Sequence, residues 1–389
     1  MTSIVTLNRL REAREARGLS LDELASRVGT SRQLLHRYES LKGAPRPELM
    51  IRLCAALNVR PGFFTLPSPV DDPFPLFFRH FRSKTSAKQL AAIKRQTVWI
   101  RDLVSTVEEI IELPTVNVPD FAPPQDPRLI TDEKIEEAAT ALRRAWGFGD
   151  GVIVDVLRLV EGKGCVVIAG VVESSSIDAF SKWTRNNRPL TFIDCRDVSA
   201  AHARLDIMHE LAHIVLHRNV DPRFVELNPD THRLIERQAF RFASAFLMPE
   251  VTFRKSVPYV SLDNLLLVKA QWQLSVAAML RRAEDLHMIS NTIARSFWIN
   301  LSRRGWRKLE PLDDLVLREE PSMLRNALLA IKDSKASSVT DVSTRLGLPF
   351  ADLERYARLP DGALASATVR EFDLFTSDQV DVGWKRALR

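Results

Sequence analysis

Cysteine is scarce in this chain of 389 residues, which contains only Cys54, Cys165 and Cys195. They are widely spaced, odd in number and without a C-x-x-C pair, which argues against a disulfide framework and a thiolate zinc cluster. No apolar run approaches the roughly 20 residues of a membrane-spanning helix, and the N-terminus lacks the apolar core of a signal peptide. Solenoid-length repeats and low-complexity tracts are also missing. These absences predict a reduced, cytoplasmic protein with no membrane partner.

The composition is that of a globular protein, with 45% hydrophobic and 27% charged residues. The length predicts two or three domains. The net charge of +6 is unevenly distributed, because residues 1–65 carry 11 Lys and Arg against 6 Asp and Glu. This local basic excess indicates a polyanionic partner for the N-terminal part of the chain.

The N-terminal part contains two short helices with clear boundary signals. Ser20 precedes LDELASRV, and Glu23 follows three residues later, which predicts a capping box. Gly29 ends this helix, and Thr30 with Ser31 caps the next one, RQLLHRYES. Two short helices joined by a tight turn form a helix-turn-helix, whose second helix can enter the major groove of DNA. The alternative is a small helical bundle that only packs against the rest of the chain.

The second helix supplies the residues expected to face DNA. Arg and Gln side chains can form paired hydrogen bonds with guanine and adenine edges. The candidate DNA-binding residues are Ser31, Arg32, Gln33, His36 and Arg37. The stretch RGLSLDELASRVGTSRQLLHRYE, with PELMIRLCAALNVRPGFF after it, resembles the XRE (Cro/C1-repressor-like) helix-turn-helix family. The resemblance implies double-stranded DNA as a partner. Asp22 stands where the family often has Gln, and an acid near a phosphate predicts altered affinity or register.

A second motif lies in DIMHELAHIVLH, residues 206–217, which contains His209, Glu210 and His213 as H-E-x-x-H. Histidines four residues apart lie on one helix face, where both can reach the same metal ion. Zinc lowers the pKa of a bound water toward neutrality, and a neighbouring carboxylate such as Glu210 can accept the proton. The alternative is a buried helix with polar residues at its mouth. Apolar neighbours predict burial, and polar groups on a buried helix need partners, which favours the metal.

A catalytic zinc site needs a third protein ligand and an open position. His217 is a further turn along the helix, too far to share the ion held by the first two histidines. The metzincin pattern is excluded because its third ligand would fall on Asn219. Spacing favours a carboxylate from the next helix, Glu236, over His232 one turn earlier.

The segments RLDIMHELAHIVLH and IERQAFRFASAFLMP together resemble the ImmA/IrrE family of zinc metallopeptidases over about residues 130–310. The resemblance implies Zn²⁺ as the cofactor, Glu236 as the third ligand and a protein substrate, typically an XRE-like repressor. It also implies a sheet whose edge receives an extended peptide. Gln238, Phe240 and Ala212 depart from residues common in the family, but none of them is a ligand. The residue that stabilises the oxyanion is not identified, with His232, His217 and arginines as candidates.

These observations predict an α+β, mostly helical fold in four parts. They are an all-α helix-turn-helix domain over 1–68, a helical connector and Pro-rich linker over 69–128, a zincin-like metallopeptidase domain with a small antiparallel sheet over 129–258, and a helical region over 259–389. Two segments of the last region also look like helix-turn-helices, but packing or dimerisation is favoured for both.

The predicted function is a DNA-binding regulator with a zinc endopeptidase domain, which dimerises if it reads two half-sites. The alternatives are a transcription factor whose zinc domain is a sensor or scaffold, and an antitoxin-like regulator that acts by binding a partner.

Overall fold

A computed structural model of the chain describes residues 8–40, 43–69, 77–79, 86–170, 179–194, 198–221, 229–307, 309–334 and 338–365. In these ranges the helices are α1 Asn8–Ala16, α2 Leu21–Val28, α3 Arg32–Glu39, α4 Pro47–Leu57, α5 Ala87–Glu108, α6 Asp132–Ala145, α7 Val156–Gly162, α8 Ala200–Leu216, α9 Pro229–Leu247, α10 Glu250–Ser256, α11 Leu262–Trp272, α12 Val276–Asp285, α13 Asn291–Arg303, α14 Met323–Asp333, α15 Val339–Leu346 and α16 Phe350–Ala357. The strands are β1 Phe77–Arg79, β2 Val166–Ala169, β3 Ala179–Trp183 and β4 Pro189–Ile193. The predicted α+β, mostly helical class is confirmed.

The chain forms two compact units, and each of them is built from segments that are not continuous in the sequence. Unit 1 comprises residues 1–71, 83–113 and 324–389, and unit 2 comprises residues 72–82 and 114–323. The domain limits predicted from the sequence stay predictions. Within the described ranges, no helix is both long and apolar enough to cross a membrane.

Unit 1 is built around the contact between α1 and α5. Trp99 of α5 is buried and donates a hydrogen bond from Nε1 to Oε1 of Glu12 in α1, over 2.6 Å. The same oxygen of Glu12 accepts from Nη2 of Arg9 at 2.9 Å. A buried carboxylate is stable only with such partners, so these bonds fix the two helices in one arrangement.

The α15–α16 pair also belongs to unit 1, where it packs against N-terminal residues. Gly347 ends α15 with a φ of 66°, and its carbonyl oxygen accepts from the backbone N–H of Arg60 at 2.9 Å. A Cβ at Gly347 would lie 2.5 Å from Cα of Phe63, so only glycine allows this approach. The guanidinium of Arg17 contacts the carboxylate of Asp352 with two nitrogens. This helix-turn-helix-like segment therefore has a packing role.

The sheet of unit 2 has the strand order β1-β3-β4-β2. The β1–β3 and β3–β4 pairs are antiparallel, whereas β2 and β4 are parallel, so the sheet predicted to be antiparallel is mixed. The reason is that β4 folds back from β3 and inserts between β3 and β2, which already run in opposite directions. On its other side, β3 pairs with β1, in the register Phe77↔Ser181.

Strand β3 fixes the sheet to α8 through two side-chain hydrogen bonds. Ser181 Oγ donates to the carbonyl of Glu210 at 3.1 Å, and Trp183 Nε1 donates to the carbonyl of Ile214 at 3.0 Å. Both carbonyls belong to α8. The sheet thus holds the middle of the helix that carries the H-E-x-x-H motif.

The Pro-rich segment between residues 114 and 126 has no helix or strand, but it is bonded to unit 2. The carbonyl of Pro114 accepts from Arg188 at 3.0 Å, and that of Pro123 accepts from Asn219 at 3.0 Å. A 3-10 turn, Pro127–Leu129, follows it. The segment that the sequence indicates as a linker is therefore part of the surface of unit 2.

Cys54 and Cys165 are free thiols, and burial raises the pKa of each to about 12. Cys195 lies outside the described residues. Neither described thiol has the low pKa of a reactive or metal-ligating cysteine.

Candidate functional site

The H-E-x-x-H motif lies in the second half of α8, whose N-cap Ser199 accepts a hydrogen bond from the N–H of His202. His209 and Glu210 have no exposed surface, and His213 is only 1% exposed. Potential ligand atoms of these three residues all lie within 4.8 Å of one another. Because 3.6 residues make a helical turn, the i, i+4 spacing brings both imidazoles to one face, as predicted.

Glu236 of α9 completes a triangle with the two histidines. The Nε2 atoms of His209 and His213 are 3.1 Å apart. Glu236 Oε2 is 3.3 Å from His209 Nε2, and its Oε1 is 3.4 Å from His213 Nε2. These contacts favour Glu236 as the third ligand, the residue that spacing favoured over His232.

The dimensions of this triangle fit a zinc ion. Tetrahedral ligands at about 2.0–2.1 Å from zinc are separated from each other by about 3.3–3.4 Å. The two imidazole nitrogens are 3.1 Å apart, and they lie 3.3 and 3.4 Å from the Oε2 and Oε1 atoms of Glu236, respectively. The donor set of two imidazoles and one carboxylate is also that of a catalytic zinc site with an open position. His209, His213 and Glu236 therefore fit the implied metal in both chemistry and spacing.

Glu236 is a carboxylate in this environment. Burial raises the pKa of its carboxyl group, but the contacts with His209 and His213 more than reverse this effect and hold the pKa below its ordinary value. A neighbouring aromatic ring limits the motion of one ligand, because the centroid of Phe240 lies 4.2 Å from that of His209. Phe240 thus packs against a candidate ligand at a position where the sequence departs from the family pattern.

Two further polar residues, His217 and Gln238, lie behind His213. His217 is fully buried at the end of α8, and its Nδ1 is 3.0 Å from Nδ1 of His213. Its Nε2 is 3.1 Å from Oε1 of Gln238 in α9. Burial is the main cause that lowers the pKa of His217 well below its ordinary value, and the neighbouring His213 lowers it further, so the ring is neutral. His217 contacts the candidate ligand His213 on the side away from Glu236. This contact is not predicted from the sequence, although the spacing from His213 is again four residues.

The predicted helix-turn-helix lies in unit 1 with the expected caps. The Ser20 hydroxyl accepts from the N–H of Glu23 at 3.1 Å, and Glu23 accepts from the N–H of Ser20 at 2.6 Å. Gly29 ends α2 with a φ of 61°, and Ser31 caps α3 by accepting from the N–H of Leu34. The capping box and both helix boundaries agree with the sequence prediction.

Helix α3 turns its apolar residues inward and its candidate DNA-binding residues outward. Leu35 and Tyr38 are buried, and Arg14 of α1 binds the carboxylate of Glu39 with Nε and Nη2 at 2.6 and 2.9 Å. The candidate DNA-binding residues are all exposed: Ser31, Arg32, Gln33, His36 and Arg37. Within α3, this arrangement leaves one polar face for a ligand.

Asp22 lies beside one of these exposed residues. Its Oδ2 is 3.5 Å from Nη1 of Arg32, with the two side chains 67% and 63% exposed. The acid that departs from the family pattern therefore forms a loose ion pair with the arginine at the start of α3.

Comparison with known proteins agrees with both motifs. Residues 10–64 match a family model described as helix-turn-helix, and residues 160–284 match the Peptidase M78 model, described as an IrrE N-terminal-like domain. The resemblance to a fusion of these two families is confirmed. No curated protein matches the chain. The chain thus joins a segment similar to DNA-binding domains to a segment similar to metallopeptidases.

Proposed function

We propose that this chain is a DNA-binding regulator with a zinc-dependent endopeptidase that cleaves a repressor-type protein. The observation that supports the proposal best is the approach of Glu236 in α9 to His209 and His213, which lie beside Glu210 on the buried part of α8. An ordinary amphipathic helix has no need for two buried imidazoles that face a carboxylate of the neighbouring helix α9.

In this proposal His209, His213 and Glu236 hold the metal, and Glu210 moves the proton. When bound, zinc supplies Lewis acidity that activates water and polarises a peptide carbonyl. The Glu210 carboxylate accepts the proton of the attacking water and delivers it to the amide nitrogen of the leaving peptide. Its nearest oxygen is within 4.8 Å of the histidine nitrogens, a gap that one water molecule can bridge.

The DNA-binding part of the proposal rests on the exposed face of α3. Its candidate contacts include Arg32, Gln33 and His36, which carry the donors that base edges and phosphates accept. DNA binding would raise the concentration of the peptidase near a DNA-bound substrate, for which an XRE-like repressor is our proposal. A cytoplasmic location and a homodimer that reads two half-sites are parts of the same proposal.

The test combines metal content with peptide cleavage in the full-length protein. Wild type, Glu210→Gln and the control Glu137→Gln, an exposed residue of α6, would be purified and their bound zinc quantified. Each protein would be incubated with a candidate XRE-like repressor, with and without a chelator, and the cleavage products would be identified by mass spectrometry. We expect one zinc per chain in all three, and cleavage by wild type and Glu137→Gln only.

Each other outcome contradicts a stated part of the proposal. Cleavage by Glu210→Gln at the wild-type rate would exclude Glu210 as the base. Zinc without cleavage of any repressor tested would favour the alternative, in which the zinc domain is a sensor or scaffold. Wild-type protein without zinc would exclude the site of His209, His213 and Glu236.

A further inference from the structure

We infer that His217 and Gln238 are positioning residues, which hold His213 in the tautomer whose Nε2 lone pair faces the metal position. This inference rests on the metal site of the proposed function. The chain of contacts runs from two backbone carbonyls through Gln238 and His217 to His213. Each contact in the chain fixes the proton position of the next group.

The first step fixes the amide of Gln238. Its Nε2 is 2.8 Å from the carbonyl oxygen of Pro127 and 2.8 Å from that of Ile130. Carbonyl oxygens only accept hydrogen bonds, so the atom between them is the amide nitrogen, which donates both. The oxygen Oε1 is thereby directed at His217.

The second step fixes the proton on His217. An amide oxygen cannot donate, so the contact of 3.1 Å between Gln238 Oε1 and His217 Nε2 places the proton on Nε2. The ring is completely buried and next to a second imidazole, where a charged imidazolium is unfavourable. A neutral ring protonated at Nε2 has its lone pair on Nδ1.

The third step fixes His213. Its Nδ1 is 3.0 Å from the Nδ1 of His217, which accepts, so His213 donates from Nδ1. A His213 ring that donates from Nδ1 offers Nε2 as its metal-binding nitrogen. This is the atom that lies 3.1 Å from His209 Nε2 and 3.4 Å from Glu236. A metal-ligating histidine needs its other nitrogen to donate, and partners of this kind typically contribute about 10–100-fold to metal affinity.

The tautomers can be read directly in the metal-free protein. In ¹⁵N-labelled full-length chain with chelator, long-range ¹⁵N–¹H correlations distinguish a protonated ring nitrogen from an unprotonated one. We expect a proton on Nδ1 of His213 and on Nε2 of His217 at neutral pH. An unprotonated Nδ1 on His213, or a protonated Nδ1 on His217, would overturn the inference whether or not the protein is a peptidase.

The contribution to metal binding is measured by zinc competition with a chromophoric chelator. His217→Phe keeps a ring but removes the acceptor, and Gln238→Leu removes the amide. His217→Asn restores an oxygen near the position of Nδ1. His202→Phe is the matched control, since His202 is on the same helix and its side chain contacts Ser199 near the N-terminal end.

We expect about 10–100-fold weaker zinc binding for His217→Phe and Gln238→Leu, partial recovery for His217→Asn, and no change for His202→Phe. Circular dichroism of the metal-free variants identifies any variant that does not fold. If His217→Phe does not fold, the zinc affinity of Gln238→Leu alone tests the inference. Wild-type affinity in folded Gln238→Leu and His217→Phe would overturn the inference and leave the proposed function standing. Absence of zinc from wild type would instead refute the metal site itself.

Discussion

Asp22→Gln is expected to strengthen DNA binding by unit 1. The change removes one negative charge near the start of α3 and releases Arg32 from its ion pair with Asp22. Arg32 would then be available for a phosphate or a base edge. The substitution also restores the residue type that the resembling family often has at this position.

The size of the effect follows from the geometry of the pair. Both side chains are about two-thirds exposed and the closest atoms are 3.5 Å apart, so breaking the pair costs about 0.2–1 kcal/mol. Removing the repulsion between Asp22 and DNA phosphates adds a similar, salt-screened amount. The sum, about 0.4–2 kcal/mol, corresponds to about 2- to 30-fold tighter binding at low salt. Asp22 is in the first turn of α2, where a carboxylate stabilises the helix, so a loss of about 0.3–1 kcal/mol in unfolding free energy accompanies the gain.

The assay is fluorescence anisotropy with a labelled DNA duplex, titrated at several salt concentrations. If Arg32 gains one phosphate contact, the slope of log K against log salt steepens by about 0.9. Glu48→Gln is the control, because it makes the same charge change at an exposed position of α4. Equal tightening by Glu48→Gln would show an effect of net charge alone. Unchanged or weaker binding by Asp22→Gln would refute the reasoning about Arg32.

Two further predictions concern the packing of unit 1. Gly347→Ala should lower the unfolding free energy in urea by about 1–3 kcal/mol more than Gly362→Ala. Both glycines have positive φ, but a Cβ at Gly347 would collide with Phe63, whereas nothing lies within 4 Å at Gly362; equal losses would contradict the packing of α15. Burial raises the pKa of Glu15, yet hydrogen bonds from two arginines lower it below its ordinary value. Its stabilisation is therefore complete above the unfolded pKa of about 4.3 and is lost as pH falls through the lower folded pKa. Glu15→Gln should be less stable than wild type at pH 7, and the difference should shrink as the pH falls below about 4.3; a difference independent of pH would exclude the ionised pair as the cause.

Local signals were sufficient for the helix boundaries and for most of the sheet. Ser20, Gly29 and Ser31 act within a few residues of their own position, so their caps could be predicted from sequence. The short apolar runs VVIA, AFSKW and PLTFI form β2, β3 and β4 of the small sheet that the sequence predicts. The short strand β1 could not be predicted, because its pairing of Phe77 with Ser181 joins residues more than 100 positions apart. The parallel pairing of β2 with β4 could not be predicted either, because it depends on the position of β4 between β3 and β2 in the folded sheet.

Some residues of the candidate site could likewise be predicted from local sequence spacing, whereas others depend on contacts between helices. His209 and His213 follow from their spacing on one helix. Spacing only favoured Glu236 over His232, and the family resemblance then implied Glu236. The role of His217 could not be derived from spacing alone, because it depends on which ring nitrogen faces His213. That orientation is set by Gln238, a residue on another helix.

Gln238 connects three segments of unit 2. The geometry of the candidate metal site therefore depends on residues other than His209, His213 and Glu236. Its oxygen faces His217 of α8, its backbone belongs to α9, and its amide nitrogen donates to the carbonyls of Pro127 and Ile130 after the Pro-rich segment. Glu236 lies two residues earlier on α9. A displacement of the Pro127–Ile130 turn would therefore release Gln238 and, through His217, the orientation of a ligand. The position of the Pro-rich segment along unit 2 is for this reason a determinant of the candidate metal centre.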